Sequence, residues 1–286
     1  MSAALEIARG TVASASRRRS VTLTVGCVLV GFIVAIALVS LFYLPYQPSD
    51  TSGARLAPPS LQHWAGTDTL GRDLLTQLMI GARIALAVGS GSVLLGGILG
   101  IALGLLVAFA SRWLDDTLSA VLDVLIAFPT LLVAMLIVAA QGASLGSAIL
   151  AIGLAMTAIV ARLTRILAKR VLGQEFVTAA RVSGTGRWGT VIQHILPNIW
   201  PTLVVNLALQ FGLAVLAEAS LSYLGLGTPP PNESWGSILQ QAQGTVLVAP
   251  IGAFAPGILL VALVIGVNLI ADGLRDVGDP TRRRAR

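Results

Sequence analysis

Apolar and polar positions alternate on a long scale along this chain. Six stretches are apolar over roughly the 20 residues that a helix needs to cross a bilayer. They run near 21–43, 82–110, 118–140, 147–161, 200–224 and 250–271. The pattern predicts an all-α integral membrane protein with six transmembrane helices, the fourth being the shortest. The first stretch follows "SRRRS", but its apolar run is too long for a signal peptide and leads into "FYLPYQP" without a small-residue cleavage site, so it reads as a retained span. A proline-, glycine- and polar-rich segment, 45–81, sets that first span apart. The predicted organisation is a tail 1–20, an accessory span 21–44, an extracytoplasmic segment 45–81, a five-span core 82–272 containing a polar loop 163–199, and a tail 273–286.

Charge placement gives this pattern a direction. With the N-terminus in the cytoplasm, the inside segments hold sixteen arginines and lysines and the outside ones three, Arg55, Arg72 and Arg83. The positive-inside bias then puts both termini and the loop 163–199 in the cytoplasm. Composition agrees with a plasma-membrane protein embedded in the lipid bilayer. Hydrophobic residues make up 55% and charged residues 11%, against about 25% charged in soluble domains. The net charge of +6 comes without a basic patch interleaved with aromatics, which excludes a nucleic-acid partner. Cys27 is the single cysteine, so no disulfide forms within one chain.

Motifs for chemistry are missing. Lys169 follows Ala168, so there is no G-x-x-x-x-G-K-[ST] phosphate loop. His63 and His194 stand alone, and no G-x-S-x-G elbow occurs. The sequence therefore predicts no catalytic residue, no metal and no cofactor on this chain. Other patterns point to packing and passage. Ser92, Gly96, Gly100, Gly104 and Ala108 recur every fourth residue of the second span, a smooth face for a closely packed helix. Asp123 lies ahead of Pro129 in the third span. Asn206, Gln210 and Glu218 share one face of the fifth. Acids at membrane depth are costly, so these four residues line either a translocation pathway or a helix–helix interface. Outside, "WAGTDTLGRDLLTQLMIGAR" offers Thr67 as a helix cap, Gly71 as a turn and a surface-lying helix after it. Asp68, Gly71, Arg72 and Asp73 are the candidates there for docking something extracytoplasmic.

The loop carries "EFVTAARVSGTGRWGTVIQHILPN". It reads as two short amphipathic helices, one with an apolar face at Phe176, Ala179 and Ala180, the other with Val191, Ile195 and Leu196. Gly184 and Gly186 separate them and Pro197 ends the second. Such a hairpin either lies on the lipid surface or fits a partner's groove. The stretch resembles the coupling loop of ATP-binding-cassette import permeases, E-A-A, three residues, glycine, about nine residues, then hydrophobic-x-Leu-Pro. Ala179, Ala180, Gly184, Leu196 and Pro197 fall on that pattern, while Thr178 stands at the glutamate and His194 at the hydrophobic position. The His-x-Leu-Pro-Asn ending, "GTDTLGRDLLTQLMIGARIAL", "EASLSYLGLGTPPPNESWGSIL" and "ADGLRDVGDP" are similar to the dipeptide/oligopeptide/nickel branch. Ala120 departs from it, standing where many members carry a basic residue ahead of Asp123.

That resemblance implies a C-type permease subunit of an importer for di- or oligopeptides. Its partners would be a second homologous permease, two ATPase subunits that hold ATP and magnesium, and an extracytoplasmic substrate-binding protein. The ATPases would grip Phe176, Ala179, Ala180, Arg181, Gly184, Trp188, His194, Leu196 and Pro197. Nickel or glutathione are the alternative substrates within the branch. A self-contained secondary transporter using Asp123 and Glu218 as proton carriers is the alternative of another class.

Overall fold

The computed structural model describes residues 2–278 as helices joined by loops. In chain order they are α1 (Ser2–Phe42), α2 (Leu74–Ala108), α3 (Arg112–Ala127), α4 (Thr130–Gln141), α5 (Leu145–Leu172), α6 (Glu175–Val182), α7 (Arg187–Gly189), α8 (Leu196–Tyr223), α9 (Trp235–Ala242) and α10 (Ile251–Gly278). A π-helical stretch, Thr190–Ile195, joins α7 to α8. The expected arginines Arg282, Arg283, Arg284 and Arg286 lie outside the described residues. The expected tail 1–20 has helical backbone, continuous with the first span.

Among the described residues, five helices are long and apolar enough to span a membrane, and the bent pair α3–α4 supplies a sixth crossing. The register of α2 on α5 requires that crossing. Gly96 abuts Gly153, Gly100 abuts Thr157 and Val160, and Gly104 abuts Ala161 and Thr164. Both numbers rise together, so the two helices run parallel, and α3–α4 must bring the chain back across the membrane between them. The molecule has two ends. A cap end carries segments 43–73 and 225–250; an elbow end carries 109–111 and 173–195.

The four-residue stripe on α2 thus has its neighbour within the chain. A Cβ on Gly104 would sit 2.4 Å from the Ala161 carbonyl oxygen and 2.6 Å from Thr164 Cβ. Small residues let the backbones touch, and interhelical packing in lipid rests on such contact. Gly104→Val is expected to cost about 1–3 kcal/mol by overpacking. Gly97→Ala meets a flexible Leu207 methyl at 3.2 Å and is expected to change little. Thermal unfolding of the two variants in detergent checks this, and equal melting temperatures would contradict the packing argument.

Several predicted boundaries move, for identifiable reasons. The second span begins at Leu74 rather than 82, because Asp73 is its N-cap: a carboxylate oxygen accepts the Thr76 backbone N–H at 2.8 Å. Thr67 is no helix cap; its hydroxyl donates to the Ala54 carbonyl at 2.5 Å and its oxygen accepts the Ala57 N–H at 2.8 Å. Nor does "DLLTQLMIGARI" lie on a surface. It forms the first turns of α2, buried beneath the cap, with Leu74, Leu78 and Ala82 in one core cluster with Ile33, Trp235 and Leu263. At 35 residues α2 is about 52 Å long, more than the roughly 30 Å of hydrocarbon, which leaves these turns room to stand clear of lipid.

The third span breaks into α3 and α4 with an 84° bend. Pro129 lacks an N–H and forces Phe128 into extended backbone, with φ −74° and ψ 133°. The fourth span, read from 147 to 161, is the 28-residue α5. Arg162, Arg165, Lys169 and Arg170 ride on this helix, not in a following loop, so the polar loop starts at Gly173 instead of 163. Finally, Pro197 does not end a helix. It occupies the first turn of α8, and the preceding π-helical stretch carries the helix through it.

Candidate functional site

Three polar regions stand out, one at each end of the bundle and one between.

At the elbow end, α6 closes in a Schellman motif. The Thr185 N–H reaches the Ala180 carbonyl and the Gly184 N–H reaches the Arg181 carbonyl, both at 3.0 Å. This geometry needs a left-handed residue, and Gly184 has φ +92°. The residue that anchors α6 is Val177, which is fully buried. Phe176 and Ala179 point outward and Ala180 is half-buried, so the apolar face read from the sequence at these three positions is not the one the chain itself covers. On the second limb Val191 and Ile195 are buried in a cluster with Ala168, Ile199 and Leu203, and Leu196 packs against it partly buried. Arg181 reaches back over the Phe109 ring at 6.0 Å, and His194 meets Phe176 edge-on at 6.1 Å. The outcome is a braced elbow with an exposed apolar ridge: Phe176, Val182, Trp188 and Ile192. Exposed large apolar side chains gathered on one short element mark an interaction surface.

Below the elbow sits a clamp that the sequence reading missed. Asp115 of α3 is buried and accepts from Arg165 Nε at 2.6 Å and Nη2 at 2.9 Å, with Lys169 as a further partner. The bidentate geometry is the stronger form of such a pair.

Within the bundle the four candidate pathway residues do not converge. Asp123 pairs with Arg162 of α5 at 3.2 Å, so α5 supplies the partner that Ala120 does not. Gln210 and Glu218 are buried, and Glu218 accepts the Ser222 hydroxyl at 2.6 Å one turn further on. Asn206 is half-buried, with an Oδ1 that has no partner. Glu218 therefore belongs to the cap end, close to Ser234 at the start of α9, and is distant along the bundle from Asp123 and Arg162.

At the cap end the two family-like segments meet. Arg72 is 4% exposed and bridges Asp68 at 2.6 Å and Glu233 at 2.5 Å. Its Nη2 also donates to Gln241 Oε1 at 3.2 Å, and Gln241 in turn donates to Glu233. Burial alone pulls the Arg72 pKa down; the hydrogen bonds and charges of Glu233 and Asp68 outweigh that and hold it above the usual arginine value. Asp73 is buried between Thr76 and His63 Nδ1, the latter at 3.0 Å. Gly71, at φ +85°, turns the chain so that its N–H returns to the Asp68 carbonyl. Arg72, Asp73 and Gly71 are thus internal girders of the cap, and Asp68 is nearly so. Trp235 seals the same region: its indole N–H donates to the Leu78 carbonyl at 3.0 Å and its ring fills the space left by Gly81. Glu233, Gln241 and Trp235 lie more than 150 residues from Arg72 and Leu78 in the chain, and periodicity gives no signal for such pairs.

The chain is similar to known proteins in sequence and in fold. Residues 100–284 match the family described as binding-protein-dependent transport system inner membrane component. The dipeptide transport system permease protein DppC of Alkalihalophilus pseudofirmus is 38% identical over 261 residues, covering 90% of this chain and 84% of that protein. The glutathione transport system permease protein GsiD of Pectobacterium atrosepticum is 36% identical over 250 residues, 87% of this chain and 83% of that one. Among solved structures, a chain of the MetNI methionine ABC transporter in inward-facing conformations superposes with a TM-score of 0.62, covering 71% of this chain and 97% of that chain at 20% identity, a likeness of fold. A multi-pass helical bundle, an α-helical elbow at one end and the family match across most of the length lead to one conclusion: the chain belongs to the binding-protein-dependent transport system inner membrane components, as an ABC importer permease of the dipeptide/oligopeptide branch.

Proposed function

We propose that the chain forms half of the translocation pathway of an ATP-driven importer for di- or oligopeptides and that the elbow is where ATPase motion enters it. The observation that carries this reading is the exposed ridge of Phe176, Val182, Trp188 and Ile192 on an element fixed by Val177, Gly184 and the α8 cluster. A ridge of that kind, on a short helix and the first turns of the long helix that follows it, suits a groove on a cytoplasmic partner. The elbow end then faces the cytoplasm and so do both termini. A second, related permease completes the path, two ATPase subunits bring ATP and magnesium, and a binding protein delivers the substrate to the cap end. ATP closes the ATPases, their grooves move as rigid bodies, and the elbow carries that motion into α5 and α8, which open the pathway outward; hydrolysis reverses it. The cap presents a rigid outer surface whose shape Arg72, Asp73 and Gly71 fix from within.

Peptide as the substrate follows the relatives' names, DppC among them; GsiD makes glutathione, itself a peptide, the second reading. Reconstitution of the chain with a second permease, ATPases and a binding protein of the same transport system tests the proposal. ATP-dependent uptake of a labelled dipeptide is expected to continue when a protonophore collapses the proton gradient. Uptake that stops with the gradient and ignores ATP would instead favour a secondary transporter.

A further inference from the structure

Two charged residues on membrane helices are left half in the open. Asp123 on α3 and Arg162 on α5 are 55% and 50% exposed, joined by one contact, Arg162 Nη1 to Asp123 Oδ1 at 3.2 Å. Arg162 lies ten residues before the end of α5, about 15 Å inward from the elbow end of a helix about 42 Å long. Neither lipid nor a dry interface suits such a pair: hydrocarbon rejects exposed charge, and a dry contact strips water from two ions whose mutual bond is incomplete. A second observation on the same helix says the same. Five residues beyond Asp123, the chain breaks at Phe128 and Pro129, both exposed. Non-helical backbone at membrane depth is tolerated only inside protein or along a water-filled cavity. Asp123 and the break beyond it therefore face away from lipid, toward the second permease and the water-filled path between the two subunits.

The looseness of the pair is not imposed by the helices. Arg165, three residues from Arg162, is held by Asp115 through two short hydrogen bonds, at 2.6 and 2.9 Å, with Lys169 alongside. The same two helices thus build one closed clamp and one half-made pair. In the half-made pair the guanidinium keeps donors in its planar fork, and the carboxylate keeps acceptor capacity, for a visitor carrying both opposite charges.

We propose that Asp123 and Arg162 are a transient recognition pair for the charged ends of a zwitterionic peptide in transit, Asp123 receiving the terminal ammonium and Arg162 the terminal carboxylate. This inference rests on the peptide-importer reading above. The exchange replaces one internal ion pair with two to the substrate and leaves the net charge of the path unchanged. The arrangement is weak enough to release its ligand, which a translocation site requires. The carbonyl end of α3 at the break adds partial negative charge one turn from Asp123, on the side that receives the ammonium. A bare metal cation offers nothing to Arg162.

The test uses the complete transporter in proteoliposomes with its binding protein saturated by Ala-Ala-Ala, its N-acetylated form or its C-amidated form in turn. Asp123→Asn is expected to slow the free and the C-amidated peptide about tenfold, the scale of one charge-assisted hydrogen bond, and to leave the N-acetylated peptide near its wild-type rate. Arg162→Gln is expected to slow the free and the N-acetylated peptide and to spare the C-amidated one. Equal slowing of all three peptides by both variants would reduce the pair to a strut between α3 and α5 and overturn the proposal. Should either neutral variant fail to assemble, the wild-type complex answers: N-acetylated and C-amidated Ala-Ala-Ala, each at saturation, are expected to move about tenfold more slowly than the free peptide, and equal rates would overturn the proposal. Wild-type transporter that imports none of the peptides removes the peptide reading itself, whereas normal import without any charge-dependent shift removes only the role of Asp123 and Arg162.

Discussion

Arg72→Met is expected to lower stability by about 3–5 kcal/mol, the usual effect of leaving buried carboxylates without their cation. Asp68 and Glu233 both face this guanidinium, and Glu233 is 3% exposed. With Arg72 gone, the cap must either bury two negative charges side by side or admit water beneath Trp235. The triple variant Arg72→Met, Asp68→Asn, Glu233→Gln removes all three charges together and is expected to recover most of the loss, because the penalty comes from unbalanced charge more than from absent attraction. Thermal unfolding in detergent reads both. A single variant as stable as wild type would show that the network is not a girder of the cap.

Gly184→Val is expected to produce the largest functional loss. Nothing lies within 4 Å of a Cβ placed there, so crowding is not the cause. The cause is backbone: φ is +92°, and an L residue pays about 1–2 kcal/mol in the left-handed region, more if β-branched. The Schellman closure of α6 should open and the exposed ridge lose its fixed angle. ATP-driven uptake is then expected to fall about tenfold or more while ATP hydrolysis persists, since 1.4 kcal/mol corresponds to a factor of ten. Asparagine tolerates this conformation, so Gly184→Asn should keep much of the transport. Full uptake by a well-inserted Gly184→Val protein would remove the elbow from the coupling role.

Both expectations begin at residues visible in the sequence, yet only part of the structure was legible there. The stripe from Ser92 to Ala108 announced a close helix contact because its four-residue spacing is local. Its partner α5 could not be read, since the register of two helices is not a property of either one. Hydropathy ended the fourth span at its first arginine, and so Arg162, Arg165 and Lys169 passed for loop residues; buried or paired arginines extend a helix without extending an apolar run. Phe176 and Ala179 read from the sequence as an apolar face for lipid or a partner's groove, and nothing in that pattern marks Val177 as the anchor of α6. The chain buries Val177 and leaves Phe176 outside, the choice expected of a surface made for another molecule. Pro129 was in plain view, but a window of 20 residues averages across a break. Pairs such as Arg72 with Glu233 become visible only when the fold brings distant segments together.

The pairing of α1 with α10 has a consequence for how the chain is made. Gly26 lies against Gly266 and Ile270, and Gly273 against Leu23, so the first helix finds its seat on the last. These contacts join residues 240 to 250 positions apart. At ordinary rates of synthesis, about 5–20 residues per second, the first helix waits about 12–48 s in the bilayer before its partner exists. During that interval its glycine-lined face is open to other helices, including those of the companion permease. Mistakes in pairing would arise there, before the final helix arrives to close the bundle.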